Sequence, residues 1–207
     1  ALVAIRRIGS CGGEIGRRRR MNVYDFDGTI YDGDSTVDFL IYMYRKHPGL
    51  MIPRLPGQCL AALRYKLRQI SKERMKEIFF SFLPKMPDVE KTVSDFWDEK
   101  EGRIKDWYKR QQREDDVIIS ASPEFLLKEI CNRQGIRHLI ATRMDERTGK
   151  IAGKNCRGEE KPVRFREVFP REEIEGFYSD HPSDCYMARL AREAYLVKGN
   201  ELSRWKA

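Results

Sequence analysis

The sequence predicts an α/β fold: a mostly parallel sheet with helices on both faces, into which a block of helices is inserted. Three observations carry this. Short apolar runs at 21–24, 117–119, 136–142 and 174–179 have the length and bounds of buried strands. Helical periodicity fills the intervals between the later runs, the alternation that builds a parallel sheet. The first interval is too long, because a strand–helix–strand unit takes about 30 residues, whereas residues 27–120 hold several helical patterns in succession.

Met21 to Tyr24 reads as the first strand. Asp25 and Asp27 follow, and Gly28 permits a sharp turn. In the polar turn from Tyr31 to Thr36, Asp34 or Ser35 can cap the next helix. Val37, Leu40, Ile41 and Tyr44 share one face of that helix. Phe39, Tyr42 and Met43 make its other side apolar, which predicts cover on more than one side. His47-Pro48-Gly49 ends it. Leu60, Leu63, Leu67 and Ile70 suggest a second helix, and Met75, Ile78, Phe79 and Phe82 a third, stopped by Pro84 and Pro87. Val89 to Tyr108 reads as one longer fourth helix. Val117 to Ile119 is the second strand, after which Ser122 and Pro123 suit the cap and first residue of a helix that Gly135 closes. Ile136 to Thr142 is a strand, Arg147 to Lys150 a hairpin turn, Lys161 to Phe169 a helix and Ile174 to Ser179 a strand. A helix from Asp184 to Arg192 and a last strand from Ala194 to Val197 complete the chain.

On this reading 21–32 and 113–207 form the core and 33–112 a helical lid rooted beside the two aspartates. Forty-one per cent hydrophobic content suits a real core, and a mean hydropathy of -0.65 with no long uncharged apolar run predicts no membrane partner. The five cysteines (Cys11, Cys59, Cys131, Cys156, Cys185) stand singly, which suits reduced thiols in the cytoplasm. The formal charge is +8, but six Arg and one Glu in the first twenty residues supply +5 of it. Residues 1–20 read as a basic extension, disordered or foreign to the native chain, with a flexible basic arm as the functional alternative. Because most of the excess lies there, a nucleic-acid partner is not expected.

Acidic side chains at the carboxyl end of a buried strand sit where open α/β sheets place ligands. Two carboxylates this close repel unless a cation stands between them. Magnesium takes oxygen ligands and keeps several waters. Alone, Asp-x-Asp-Gly is equally a polar turn. Here Ser120 follows the second strand, Lys161 opens a later helix, and Asp180 and Asp184 follow a further strand. Asp-x-Asp-x-Thr, Ser, Lys and Asp-x-x-x-Asp, in that order over roughly residues 21–200, resemble the four motifs of the haloacid dehalogenase superfamily. The likeness is greatest to its phosphoserine-phosphatase-like branch.

That resemblance implies a Rossmann-like core with an α-helical cap. It implies a magnesium-dependent phosphatase that hydrolyses a small phosphorylated metabolite through an aspartyl-phosphate. Asp25 is the nucleophile by its chemistry and by the resemblance. Asp27 is the general acid and later base, with its main-chain carbonyl on the metal by resemblance. Ser120 and the Ala121 amide can donate to phosphoryl oxygens. Lys161 would neutralise the phosphoryl group, with Lys154 as fallback. Asp180 would complete the metal sphere, Asp184 would support it or orient Lys161, and Thr29 would hold the loop. Asp34 is either a helix cap or an acid for a substrate amine, and the matching cap arginine is Arg64 or Arg68. Tyr178 to Asp184 departs from the branch's Gly-Asp-Gly-x-x-Asp form, which puts phosphoserine specificity in question. Two rivals share part of the pattern: a receiver-like phospho-acceptor and a phosphate-binding protein without turnover. The long helical interval after Asp27 speaks against the receiver.

Overall fold

The computed structural model describes residues 20–205, so the expectation for the basic extension lies, apart from Arg20, outside the described residues. Its centre is β1 (Arg20–Tyr24), flanked in parallel by β2 (Val117–Pro123) and β6 (Glu173–Ser179). The sheet runs β3-β2-β1-β6-β7-β8, with β3 (His138–Thr142) and β7 (Ala191–Lys198) also parallel to their neighbours. The chain moves one way from β1 to β2 and β3 and returns to the other side at β6. The strand order therefore reverses at β1, which opens a crevice at the carboxyl ends of β1 and β6.

β1 is buried on both faces, and its side chains alternate between two cores. Met21 and Val23 join Val117, Ile119, Phe165 and Phe177 on one side of the sheet. Tyr24 joins Leu126, Leu127 and Ile130 on the other. The second core continues into the helices between β1 and β2: α1 (Ser35–Lys46), α2 (Pro48–Met51), α3 (Leu55–Lys66), α4 (Lys72–Phe79), α5 (Val89–Lys100) and α6 (Asp106–Gln111). Phe39, Phe80, Phe82, Phe96 and Phe125 pack in stacked, tilted and edge-on pairs there, and Trp97 Nε1 donates to Leu126 O at 2.7 Å, tying α5 to α7 (Glu124–Arg133).

Several local expectations are corrected. The fourth helix breaks after Lys100, because Ile104 bridges to Tyr31 and Lys105 N donates to Ile30 O, anchoring the chain to the loop after β1. Pro123 ends β2 and caps α7 with its main chain, since the Ser122 hydroxyl is engaged elsewhere. The helix after Asp184 stops at Ala188 (α9, Cys185–Ala188), because Ala191 already pairs with Ile174. An antiparallel edge strand, β8 (Glu201–Arg204), was not anticipated; its four residues are all exposed and a single leucine, Leu202, among polar residues makes no alternating pattern. α1 buries Phe39, Tyr42 and Met43 but leaves Val37 and Ile41 outside. On α3 the periodic leucines do not face the core: that helix docks through Gln58 and Ala61. β4 (Met144–Asp145) and β5 (Lys150–Ile151) form the expected hairpin, and α8 (Glu160–Val168) precedes β6.

Asp116, just before β2, is fully buried; its Oδ2 accepts from Arg113 N at 2.8 Å, and its Oδ1 has no hydrogen-bond partner among the described residues. Burial pushes its carboxyl up to about 6. A carboxyl raised on folding costs stability when ionised: the cost is complete above the folded value and gone below the ordinary value near ~4. Asp116→Asn is therefore expected to stabilise the protein at about pH 7.5 by on the order of 1–3 kcal/mol, with the gain fading towards about pH 4. Thermal unfolding across that range tests it. A variant equally or less stable at both ends would refute a buried charge penalty.

Candidate active site

The first strand ends at Tyr24, and Asp25 N still donates to Tyr178 O at 2.9 Å, so the Asp25 side chain leaves from the sheet's carboxyl edge. Phe26 remains in the core, which turns Asp27 back to the same edge. Gly28 adopts φ +71°, and a Cβ there would fall 2.1 Å from Asp180 Oδ2. Only glycine lets the Asp180 carboxylate lie against this loop. Thr29 Oγ1 accepts from Asp180 N at 2.9 Å, which joins the loops after β1 and β6.

Lys161, at the start of α8, is 2% exposed and reaches between two acids. Its Nζ lies 2.7 Å from Asp25 Oδ1 and 2.6 Å from Asp184 Oδ2. Ser179 Oγ also donates to Asp184 Oδ2, at 2.8 Å. Burial alone would discharge Lys161, but the Asp25 and Asp184 carboxylates more than offset it and hold its pKa above the ordinary value. Burial pushes Asp25 up to about 7 against the pull of Lys161. Burial, with Asp34 adding like charge, pushes Asp27 up to about 6. Asp180 is raised too, first by burial. Lys154 is exposed, pairs with Glu160 at 3.8 Å and does not line the cavity.

A cavity of about 470 Å³ brings together Asp25, Asp27, Asp34, Ser120, Ala121, Lys161, Asp180 and Asp184. Thr29 stands behind it as the loop clasp. Ser120 Oγ accepts from Ser122 N at 3.0 Å, shaping the loop after β2. Asp34 caps α1, accepting from Val37 N at 3.0 Å. Neither Arg64 nor Arg68 lines the cavity; Lys72, Lys76 and Arg157 do.

Sequence reasoning missed two polar groups that contact the site. Ser122 Oγ donates to Asp27 Oδ2, while Ser35 N donates to Asp27 Oδ1 at 2.6 Å. The serine was visible, but its place before Pro123 suggested a helix cap. Lys76, on α4, is buried, and its Nζ donates to Ala121 O at 2.6 Å and Asn155 Oδ1 at 2.7 Å. Neither partner is charged. Burial, then Lys72, lowers its pKa to about 8. Between Met75 and Phe79 it resembled an ordinary solvated helix lysine, and only tertiary packing turns it inward.

The donor set suits a hard cation. Asp25 and Asp184 share one lysine, Asp27 receives only neutral donors, and Asp180 lies in the cradle left by Gly28. Among the described residues no three His, Cys, Asp or Glu side chains form a ready-made metal cluster. Asp25 and Asp180, supplemented by a main-chain carbonyl and water, fit magnesium, which keeps much of its hydration.

Comparison with known proteins agrees with this geometry. The family model for haloacid dehalogenase-like hydrolases matches residues 23–189. The chain is 29% identical over 219 residues to the protein CicA of Caulobacter vibrioides (strain NA1000 / CB15N), covering 94% of this chain and 91% of that one. A Bordetella pertussis Tohama I protein of unknown function superposes with a TM-score of 0.72 at 21% identity, over 86% of this chain and 89% of that chain. A phosphoserine phosphohydrolase-like protein of Francisella tularensis subsp. tularensis SCHU S4 superposes with a TM-score of 0.51 at 14% identity, over 86% of each chain. The motif residues that gather in one cavity lie within the matched span, and the chain belongs to the haloacid dehalogenase-like hydrolase family.

Proposed function

We propose that this protein is a magnesium-dependent phosphatase that hydrolyses a small phosphomonoester through a phosphorylated Asp25. The observation that carries this is the division of labour between two neighbouring carboxyls. Asp25 is held by a buried cation, Lys161, whereas Asp27 receives only neutral donors, from Ser35 and Ser122. Environments that differ in this way separate a nucleophile from an acid–base group.

An Asp25 oxygen attacks phosphorus, the ester P–O bond breaks, and protonated Asp27 gives its proton to the departing alkoxide. Asp27, then a carboxylate, takes a proton from water, which attacks the same phosphorus, releases phosphate and frees Asp25. Magnesium, held by Asp25, Asp180 and the Asp27 main-chain carbonyl, would offset phosphoryl charge. Lys161 keeps Asp25 oriented and neutralises the anion it meets. Ser122 fixes the Asp27 carboxyl. The α1–α6 insertion acts as the cap: Lys76 brings a further cation to the Ala121 loop, and Val37, Leu40, Met75 and Phe79 face the leaving group. Asp34 serves as the α1 cap, and the absence of Arg64 and Arg68 from the cavity weakens the case for phosphoserine. The free thiols of Cys59, Cys131, Cys156 and Cys185 support a cytoplasmic location.

Phosphate release from p-nitrophenyl phosphate and a panel of alkyl, aryl and amino-acid phosphates tests the reading. Release is expected with magnesium, is lost in EDTA and returns when magnesium is restored. Folded protein that releases no phosphate from any member of the panel would refute it.

A further inference from the structure

We propose that the outer face of α3 docks this protein onto an anionic lipid surface. Leu60, Leu63 and Leu67 recur at helical spacing along one side of α3 and its C-terminal cap, opposite the Gln58 and Ala61 side that packs inward. They are 54%, 52% and 57% exposed, and Ile52 and Leu55, just before them, are also exposed. A helix that turns its leucines away from the core while docking through a glutamine and an alanine leaves an unpartnered apolar stripe. No helix among the described residues is long and apolar enough to cross a membrane. A helix lying in the interface needs no such length.

Charge decides the occupant. Residues 39–72 hold seven Lys and Arg and no Asp or Glu. Arg64 lies one turn from Leu60 on the leucine side, and Arg54, Lys66 and Arg68 flank it. Basic residues interleaved with exposed leucines fit a surface that offers both hydrocarbon and negative charge, with the long cationic stems reaching the headgroups. A second copy of this chain would bring like charges together. A nucleic acid would satisfy the cations but leave the leucines in water. Tyr65, on the same helix, lines the catalytic cavity, so the docking element and the cavity wall are one piece. The expectation of no membrane partner rested on mean hydropathy and the lack of a spanning run, neither of which bears on a helix lying in the interface.

Co-sedimentation of the full chain with vesicles tests this, using phosphatidylcholine alone and phosphatidylcholine mixed with phosphatidylglycerol, at low and high salt. Partitioning is expected to be at least about tenfold stronger onto the mixed vesicles and to fall with salt. Leu60→Ser/Leu63→Ser/Leu67→Ser is expected to weaken it about tenfold, and Leu63→Ser alone about threefold, since each removes hydrocarbon from the interface. These leucines touch neither the core nor the cavity, so the melting temperature and turnover of p-nitrophenyl phosphate are expected to stay unchanged. Equal binding to both vesicle types would overturn the proposal. So would binding undiminished by the leucine changes, which would assign it to other basic residues. A concentration-dependent dimer abolished by the same changes would place a second copy on this face and overturn it as well.

Discussion

Asp25→Asn is expected to lower magnesium-dependent phosphate release by on the order of a thousandfold or more, as loss of a covalent nucleophile does. The amide is nearly isosteric, can still accept from Lys161, and replaces a carboxyl whose pKa burial has already pushed up to about 7. The fold should therefore survive, and an unchanged melting temperature would locate the loss in the chemistry. A chase with labelled substrate adds an independent reading: label trapped on the acid-quenched parent protein, and absent from the variant, is the expected result. A variant that retains more than about a tenth of parental turnover would exclude Asp25 as the nucleophile.

Lys161→Met is expected to have the largest effect on stability. Lys161 is sealed in the interior with Asp25 and Asp184 as its charged partners. Removing one member of a buried charge cluster leaves the others uncompensated and costs about 3–5 kcal/mol. For a chain of this size that corresponds to a fall in melting temperature of about 10 °C or more. Activity should be lost as well, since Asp25 would face an anionic substrate without its cation. The double variant Lys161→Met/Asp184→Asn separates the two roles. Removing the second charge should recover part of the stability but none of the turnover. Strictly additive destabilisation would show that Lys161 and Asp184 are not coupled.

The strands and the site were legible in the sequence for one reason: both are written in local patterns. A buried parallel strand must be an apolar run, and a side chain that acts at the crevice must follow it directly. Asp25, Ser120 and Asp180 each follow such a run, so spacing alone could nominate them. Gly28 could be read as a turn residue, but its closeness to Asp180, far along the chain yet adjacent in space, belongs to the pairing of β1 with β6.

The errors arose where a local pattern had two outlets. Ser122 before Pro123 satisfies a helix cap on paper, yet its hydroxyl is drawn to Asp27, because β2 and β1 are neighbours and bring the two together. Lys76 sits among apolar helix positions, and only the packing of α4 over the Ala121 loop buries it. The leucines of α3 have the period of a core face, but periodicity specifies a stripe and not what covers it.

By itself, then, the sequence determined the α/β class, the long helical interruption after the first strand and the candidate residues for the proposed phosphoryl chemistry, because apolar period and strand-end position are local properties of the chain. Only the tertiary structure decided which lysine reaches Asp25, which serine holds Asp27 and which way α3 faces. Those outcomes depend on contacts between residues far apart in the chain, where burial, charge pairing and packing compete and no local pattern records the winner.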